Sequence, residues 1–192
     1  MKLPIVAYGH PILRKKALDI NADFPNLQEL IENMWETMYH SNGVGLAAPQ
    51  INQSIRLFVV DSVQIVESAE EDEKEKYSTE KPVKQVFINA QIEELHGDDW
   101  KYNEGCLSIP KVREDVMRPE EVTLTWVDEQ FQSHTATFDG ITARIILHEY
   151  DHIEGKLFID HISPLKRRLI KSKLDNITKG KVSVDYKMMF PK

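Results

Sequence analysis

Apolar side chains recur at helical spacing in three segments of the chain. The first segment follows Pro25, and its apolar residues repeat with the i, i+3, i+4, i+7 spacing of one buried face until residues 41–43 (Ser-Asn-Gly) end it. The second segment, residues 141–155, is apolar on more than one face, which predicts a deeply buried helix. The third helix begins at Ser163-Pro164, extends to about Ile177 and is closed by Gly180. The apolar face of the first helix comprises Leu27, Leu30, Ile31, Met34, Trp35 and Met38.

Strand-like patterns fill the region between the first two helices. Short apolar or alternating runs predict strands there. These runs are residues 55–60, 85–88, 90–95, 112–117, 122–127 and 134–138. Residues 1–22 are interpreted as an extended, loop-rich lead-in, because they contain proline and glycine but little periodicity. After the third helix, the alternation of Val182, Val184 and Tyr186 predicts a short terminal strand.

Length and composition favour one domain spanning residues 1–192, with 41% hydrophobic residues and a sizeable core. An acidic surface insertion is predicted near residues 67–80, because residues 67–76 hold six acids and no large apolar side chain. The N-terminus lacks a secretory apolar run, no stretch has the length of a membrane span, and Cys106 is the single cysteine. These features predict a cytoplasmic protein without a disulfide.

Charge is unevenly distributed along the chain. The net charge of −7 argues against a general attraction to nucleic acid, including DNA. Residues 164–181 nevertheless carry seven cations and one acid, so this segment is +6 and the remainder is −13. The basic C-terminal helix near residues 164–178 is therefore a candidate contact for an anionic partner, although a solvated helix face is an equally good interpretation.

The strongest local motif is the run His148-Glu149-Tyr150-Asp151-His152. On a helix, positions i and i+4 share a face, so both imidazoles can reach one divalent metal ion. Glu149 lies beside them, where its carboxylate can accept a proton from a water that the ion activates. Chance placement of two packed histidines is the alternative, but a buried helix gains little from such polar groups without a partner.

A catalytic metal site usually has three protein ligands and one open position. The spacing of one hydrolase class would place the third ligand at residue 158, which is Phe158, and no glutamate follows Glu154 to serve another class. Asp160 and His161 remain as downstream candidates, and Cys106 remains as an upstream one. A thiolate would suit a softer metal, whereas a buried apolar role for Cys106 is equally reasonable on chemistry alone.

The third motif is the glycine-rich run at residues 43–50, with the sequence Gly-Val-Gly-Leu-Ala-Ala-Pro-Gln. Small residues allow close backbone approach to a ligand, and Gln50 supplies an amide that could stabilise an oxyanion. By itself the run is more typical of a packed turn, and it lacks the Gly-Lys-Ser/Thr ending of a phosphate loop.

Together, the three motifs strongly resemble those of bacterial peptide deformylases. That family carries GφGLAAxQ (φ apolar), EGCLS and HExDH, which match residues 43–50, 104–108 and 148–152, and the resemblance extends from about Pro4 to Lys166. The acidic insertion and the tail after Lys181 depart from the shortest members. The resemblance implies an α+β fold in which strands pack around a central buried helix that bears HExDH.

The resemblance also implies a role for each matching residue. Cys106, His148 and His152 would bind one divalent ion, Fe²⁺ in cells, with Ni²⁺, Co²⁺ or Zn²⁺ as substitutes. Glu149 would be the general acid and base. Gln50 and the N–H of Leu107 would stabilise the oxyanion. The substrate would contact the residues of the glycine-rich run, namely Gly43, Val44, Gly45 and Leu46.

The implied reaction is hydrolysis of the formyl group from N-formylmethionyl nascent polypeptides, with release of formate. The implied partners are those nascent peptides and the ribosome, the latter through the basic C-terminal helix. Two other functions stay open at this point. One is a metallopeptidase that cleaves internal peptide bonds, with Asp160 or His161 as third ligand. The other is a non-catalytic metal- or peptide-binding protein.

Overall fold

The computed structural model describes residues 1–69, 77, 79 and 81–191. Its strands are β1 (Ile5–Val6), β2 (Gly45–Ala47), β3 (Leu57–Asp61), β4 (Lys84–Cys106), β5 (Ile109–Val127), β6 (Ser133–Asp139) and β7 (Met188–Met189). Its α-helices are α1 (Leu27–His40), α2 (Val63–Ser68), α3 (Gly140–Ile153) and α4 (Pro164–Thr178). Short 3-10 helices lie at Pro11–Arg14, Ala48–Ile51 and Phe158–Asp160.

A five-stranded antiparallel sheet with the order β2-β3-β4-β5-β6 forms the framework. A second, two-stranded sheet joins β1 and β7 in parallel. The sheets and the four helices confirm the predicted α+β class. Strand β2 lies at one edge of the large sheet, so one side of its backbone faces away from β3.

Helix α3 is the central element, as predicted. Ile141, Ile146 and Ile153 are almost completely buried, and the helix packs against β2, β3, β5 and β6. Burial on several sides explains why its apolar residues do not form one stripe. The His-Glu-Tyr-Asp-His motif occupies its last turns, so the fold places this motif in the interior of the molecule.

The two longest strands form a single hairpin that carries the Glu-Gly-Cys-Leu-Ser motif at its end. The predicted strands 85–88 and 90–95 are parts of β4, and 112–117 and 122–127 are parts of β5. Asn89 interrupts the pattern because it adopts a positive φ of 53° at a register shift. Cys106 pairs with Ile109, so Leu107 and Ser108 form a tight two-residue turn.

The helices at the two ends of the chain match their predicted positions closely. Helix α1 begins two residues after Pro25 and buries Ile31, Met34 and Met38. Helix α4 begins at Pro164, and the Ser163 hydroxyl accepts a hydrogen bond from Lys166 N as an N-cap. Within the described residues, none of the helices is long and apolar enough to cross a membrane.

At the periphery of the chain, the structure differs from the predictions or leaves them untested. The terminal strand predicted at Val182, Val184 and Tyr186 is wrong, because residues 181–187 form no strand and β7 lies after them. The apolar residues at every second position have a different explanation: Val184 and Tyr186 line a cavity, and Val182 packs on the core. Helix α2 was not predicted. The acidic insertion near residues 67–80 lies mostly outside the described residues.

Candidate active site

Hairpin β4–β5 and helix α3 bring Cys106, His148 and His152 together. One ligand atom from each residue lies within 4.8 Å of the others. Cys106 Sγ is 3.2 Å from His152 Nε2, and the two imidazole centroids are 5.3 Å apart. The i, i+4 spacing on α3 supplies the two rings, whereas the thiol comes from the end of β4. A thiol and two imidazoles at this separation form a suitable donor set for one transition-metal ion.

A buried carboxylate orients one of these rings. Glu104 Oε2 lies 2.8 Å from His148 Nδ1, which leaves Nε2 of that ring for the centre of the cluster. Arg118 Nε and Arg144 Nη1 donate to Glu104 Oε1 over 2.7 and 3.0 Å. Burial by itself would raise the pKa of Glu104, but the hydrogen bonds from His148 and Arg118 outweigh burial and hold that pKa well below its usual range.

The cluster also favours the thiolate form of Cys106. Burial opposes ionisation of the thiol, but the charge of His152 and a hydrogen bond from His148 outweigh burial and lower its pKa to about 5. A thiolate is the form of cysteine that binds metals. The thiol is therefore already in its ligand form near neutral pH.

Glu149 lies next to this cluster and close to β2. Its Oε2 atom is buried and has no hydrogen-bond partner among the described residues. Burial is the main cause that raises the pKa of Glu149 to about 7. A Cβ atom added at Gly45 would lie only 2.5 Å from Glu149 Oε1, so a side chain at position 45 would collide with this carboxylate. The unpartnered oxygen is therefore available to exchange a proton with a ligand in the site.

Gln50 and Leu107 flank the thiol. Gln50 Oε1 accepts a hydrogen bond from Ala47 N over 2.8 Å, which orients the side-chain amide. Its Nε2 atom then lies 3.5 Å from Cys106 Sγ and 3.3 Å from Ser108 Oγ. Leu107 directly follows Cys106 in the two-residue turn. Gln50 therefore holds an N–H donor beside the thiol, and Leu107 lies in the adjacent turn.

A cavity of about 530 Å³ is lined by Gln50, Cys106, Leu107, His148 and Glu149. Gly43, Val44 and Gly45, for which substrate contacts are predicted, contribute to its wall. Leu46 does not line it, because side chains alternate along β2 and Leu46 is fully buried in the core on the opposite side. A contact between Leu46 and a ligand would therefore use the backbone. The apolar part of the wall includes Ile65, Tyr102, Ile141 and Ile145.

The two downstream ligand candidates lie in other interactions. Asp160 pairs with Arg14 and, over 3.2 Å, with Arg167. His161 Nε2 lies 2.7 Å from Asp151 Oδ2. Within the part of the chain that the structure describes, the only metal-capable group found is Cys106 with His148 and His152.

Sequence reasoning missed several residues around the site. Glu104 lies inside a quoted motif, but its contact with His148 joins residues 44 positions apart. Arg118 follows the predicted strand 112–117, and it bridges Glu104 to Asp151 with a 2.7 Å bond to the latter. Tyr186 lines the cavity from the tail. No local pattern marks these contacts, because each depends on how distant segments pack.

Comparisons with known proteins agree with this geometry. The family model described as polypeptide deformylase matches residues 2–168. A peptide deformylase from Christiangramia forsetii is 56% identical over 191 residues, covering 100% of this chain and 97% of that protein. Another from Flavobacterium johnsoniae is 53% identical over 99% of this chain and 96% of that protein.

Solved structures give the same result. A crystal structure of a peptide deformylase from Legionella pneumophila has a TM-score of 0.78 and 36% identity, covering 94% of this chain and 98% of that one. The structure of a peptide deformylase from Thermotoga maritima has a TM-score of 0.72 and 35% identity, covering 85% and 99%. The chain belongs to the peptide deformylase family.

Proposed function

We propose that this protein hydrolyses the formyl group of N-formylmethionyl nascent polypeptides and releases formate. One observation carries the proposal: in a chain of this family, a thiol, two imidazoles within ligand distance of it and an unpartnered carboxylate lie together at a single cavity, whose wall includes Cys106, His148 and Glu149. The residue roles below are part of the proposal. We further propose that residues 1–192 act as one catalytic domain, because both the β4–β5 hairpin and α3 are needed to assemble the cluster.

Cys106, His148 and His152 would hold one divalent ion. Their donor atoms are close enough to share it, and the Glu104 contact directs His148 Nε2 toward it. We propose Fe²⁺ as the native ion, with Ni²⁺, Co²⁺ or Zn²⁺ as substitutes, since thiolate and imidazole ligands accept all of these ions. When bound, the ion would supply Lewis acidity to the attacking water and to the formyl oxygen.

Glu149 would move the proton in the reaction. Its buried Oε2 would accept a proton from the attacking water and then donate it to the amine that leaves as methionine's N-terminus. Burial raises the pKa of Glu149 above that of an exposed carboxylate, which favours uptake of a proton by this group.

Gln50 Nε2 and the Leu107 N–H would stabilise the negative charge that develops on the formyl oxygen. Because Ala47 N holds Gln50 Oε1, the donor atom is already oriented before substrate binds. Donors that are fixed in advance stabilise a transition state without the cost of reorganisation. The two donors approach from different elements, the Ala48–Ile51 helix and the β4–β5 turn.

The substrate would bind along strand β2. Because β2 is an edge strand, its free backbone groups can pair with an extended peptide, with Gly45 and the backbone of Leu46 as contacts. Gly43 and Val44 would line the entrance. The methionine side chain would enter the apolar part of the cavity, where Tyr102, Ile141 and Ile145 offer dispersion contacts to an unbranched thioether.

The decisive experiment measures formate release from formyl-Met-Ala-Ser by metal-loaded protein, with casein as an internal-peptide control. We expect formate release and no casein cleavage. Glu149→Gln should retain the ion but slow formate release by at least about 100-fold. Glu120→Gln, an exposed site on β5, is the matched control. Casein cleavage without formate release would instead favour the metallopeptidase, although Asp160 and His161 are engaged elsewhere.

We also propose that this enzyme acts in the cytoplasm and docks on ribosomes through α4. Arg168, Lys171 and Lys173 are exposed on this helix, whereas Arg167 is paired with Asp160. Exposed cations would attract ribosomal RNA in a salt-dependent way. Cosedimentation with ribosomes at low salt should be lost when the three exposed cations are replaced by glutamine. Equal cosedimentation of the two proteins would refute the docking proposal.

A further inference from the structure

The C-terminal tail is anchored on the N-terminal strand. Ile5 N donates to Lys187 O, and Ala7 N donates to Met189 O, each over 2.8 Å, so β1 and β7 form a small parallel sheet. The apolar side chains of Met188, Met189 and Phe190 pack on the core cluster below α4. Residues 181–187, which connect α4 to β7, are therefore held at both ends.

This connecting segment reaches the active site. Val184 and Tyr186 both line the cavity whose wall includes Cys106 and His148 of the metal-capable cluster. The Tyr186 hydroxyl donates a hydrogen bond of 2.8 Å to the carbonyl of Leu107. Tyr8, two residues after the end of β1, donates its N–H over 2.8 Å to the carbonyl of Ser108. Both carbonyls of the two-residue turn are therefore bound by groups from the terminal segments.

The turn lies at the end of its hairpin, outside the paired residues. Leu107 and Ser108 lie beyond the last cross-strand pair, Cys106 with Ile109. The Leu107 carbonyl is part of the peptide bond to Ser108. The Leu107 N–H, which is the proposed oxyanion donor, is part of the peptide bond to Cys106. Fixing the carbonyl restricts rotation about Leu107 and so restricts the direction of its N–H.

We infer that Tyr186 is a positioning residue for deformylation, which holds the Leu107 turn so that its N–H points at the reacting oxygen. The tail thereby becomes part of the catalytic apparatus, although it lies beyond residue 168, where the family match ends. Tyr186 acts through Leu107 and does not itself take part in the chemistry. This inference rests on the proposed deformylase function.

The test compares Tyr186→Phe with Tyr8→Phe in the metal-loaded enzyme. Both substitutions remove one hydroxyl from the terminal segments, but Tyr8 contacts the turn through its backbone N–H, which phenylalanine retains. We expect Tyr186→Phe to lower kcat for formyl-Met-Ala-Ser by about 3- to 10-fold, the range expected for loss of one net hydrogen bond. KM should change little, because the ring still fills its place in the cavity wall. Tyr8→Phe should match wild type.

Amide hydrogen exchange gives a second readout that does not depend on activity. The peptide covering residues 103–109 should exchange faster in Tyr186→Phe than in wild type or Tyr8→Phe, whereas peptides from α4 should not change. Metal content should be equal in all three proteins. Wild-type kcat and wild-type exchange in Tyr186→Phe would overturn the inference while leaving the proposed function intact. A wild-type enzyme that releases no formate would refute the function itself, and exchange would still report whether Tyr186 holds the turn.

Discussion

At the scale of single residues, Glu104 links the ligand cluster to the rest of the fold. Its two carboxylate oxygens contact His148, Arg118 and Arg144, and all of these side chains are largely buried. Two cations and one imidazole around one buried carboxylate leave no lone pair without a partner. Glu104 therefore holds the His148 ring in the orientation that an ion would need, and at the same time forms ion pairs with both buried arginines.

We predict that Glu104→Gln weakens metal binding by about 10- to 100-fold, because outer contacts of ligating histidines contribute this much to affinity. A chelator competition assay measures the affinity. Glu154→Gln is the matched control, since Glu154 also pairs with a buried arginine, Arg56, over 2.5 Å, but lies outside the cavity. Both variants should have a lower melting temperature than wild type. Unchanged metal affinity in Glu104→Gln would refute the role of this contact.

At the scale of elements, strand β2 requires glycine for a steric reason. Position 45 has an ordinary φ, so the constraint comes from Glu149, whose Oε1 atom would lie 2.5 Å from an added Cβ. At Gly43 the nearest atom is the flexible end of the Leu107 side chain, at 2.9 Å, and the Met38 carbonyl oxygen at 3.3 Å is tight but needs only a small shift. An added methyl group is therefore expected to disturb the structure more at Gly45 than at Gly43.

We predict that Gly45→Ala slows formate release by about 100-fold, because a displacement near 1 Å of a catalytic group has an effect of this size. Gly43→Ala should slow it far less. Formate release by the metal-loaded variants is the measurement, and circular dichroism checks that both fold. Equal rates of formate release for the two variants would show that the contact with Glu149 is not the reason for glycine at position 45.

The same scale explains how much of the fold the sequence could predict. Helices α1, α3 and α4 were predicted within about two residues, because their apolar spacing and capping residues act locally. Strands β4 and β5 were each divided in two, because Asn89 and a polar stretch interrupt alternation without ending the backbone pairing. The tail was misassigned because its alternation reflects a cavity wall, which only the packed molecule reveals.

The candidate site, like the fold, could be predicted from the sequence only in part. The pairing of His148 with His152 follows from helical geometry alone, whereas the thiol could be chosen over Asp160 and His161 only by resemblance or by structure. The contacts of Glu104 and Tyr186 join residues 44 and 79 positions apart. Local patterns do not encode separations of this kind, because they depend on the pairing of β4 with β5 and on the docking of the tail.

At the scale of the whole molecule, an ion at this site would connect two parts that fold from distant segments. Cys106 ends β4, whereas His148 and His152 lie on α3, more than 40 residues later. Without an ion, a thiolate and two imidazoles share a buried space with little solvation. An ion that binds the folded state and not the unfolded chain must therefore raise the melting temperature.

We predict that chelation lowers the melting temperature by about 8–16 °C, because an ion at a thousand times its dissociation constant stabilises by about 4 kcal/mol, and each kcal/mol shifts a chain of this size by about 2–4 °C. Calorimetry of loaded, stripped and Ni²⁺-reloaded protein measures the shift, and formate release should disappear and return with it. Cys106→Ser is the control variant: it should show a smaller difference between the loaded and stripped states, because a hydroxyl is a poorer ligand than a thiolate. If wild type and Cys106→Ser melted alike with and without metal, Cys106 would not be a ligand.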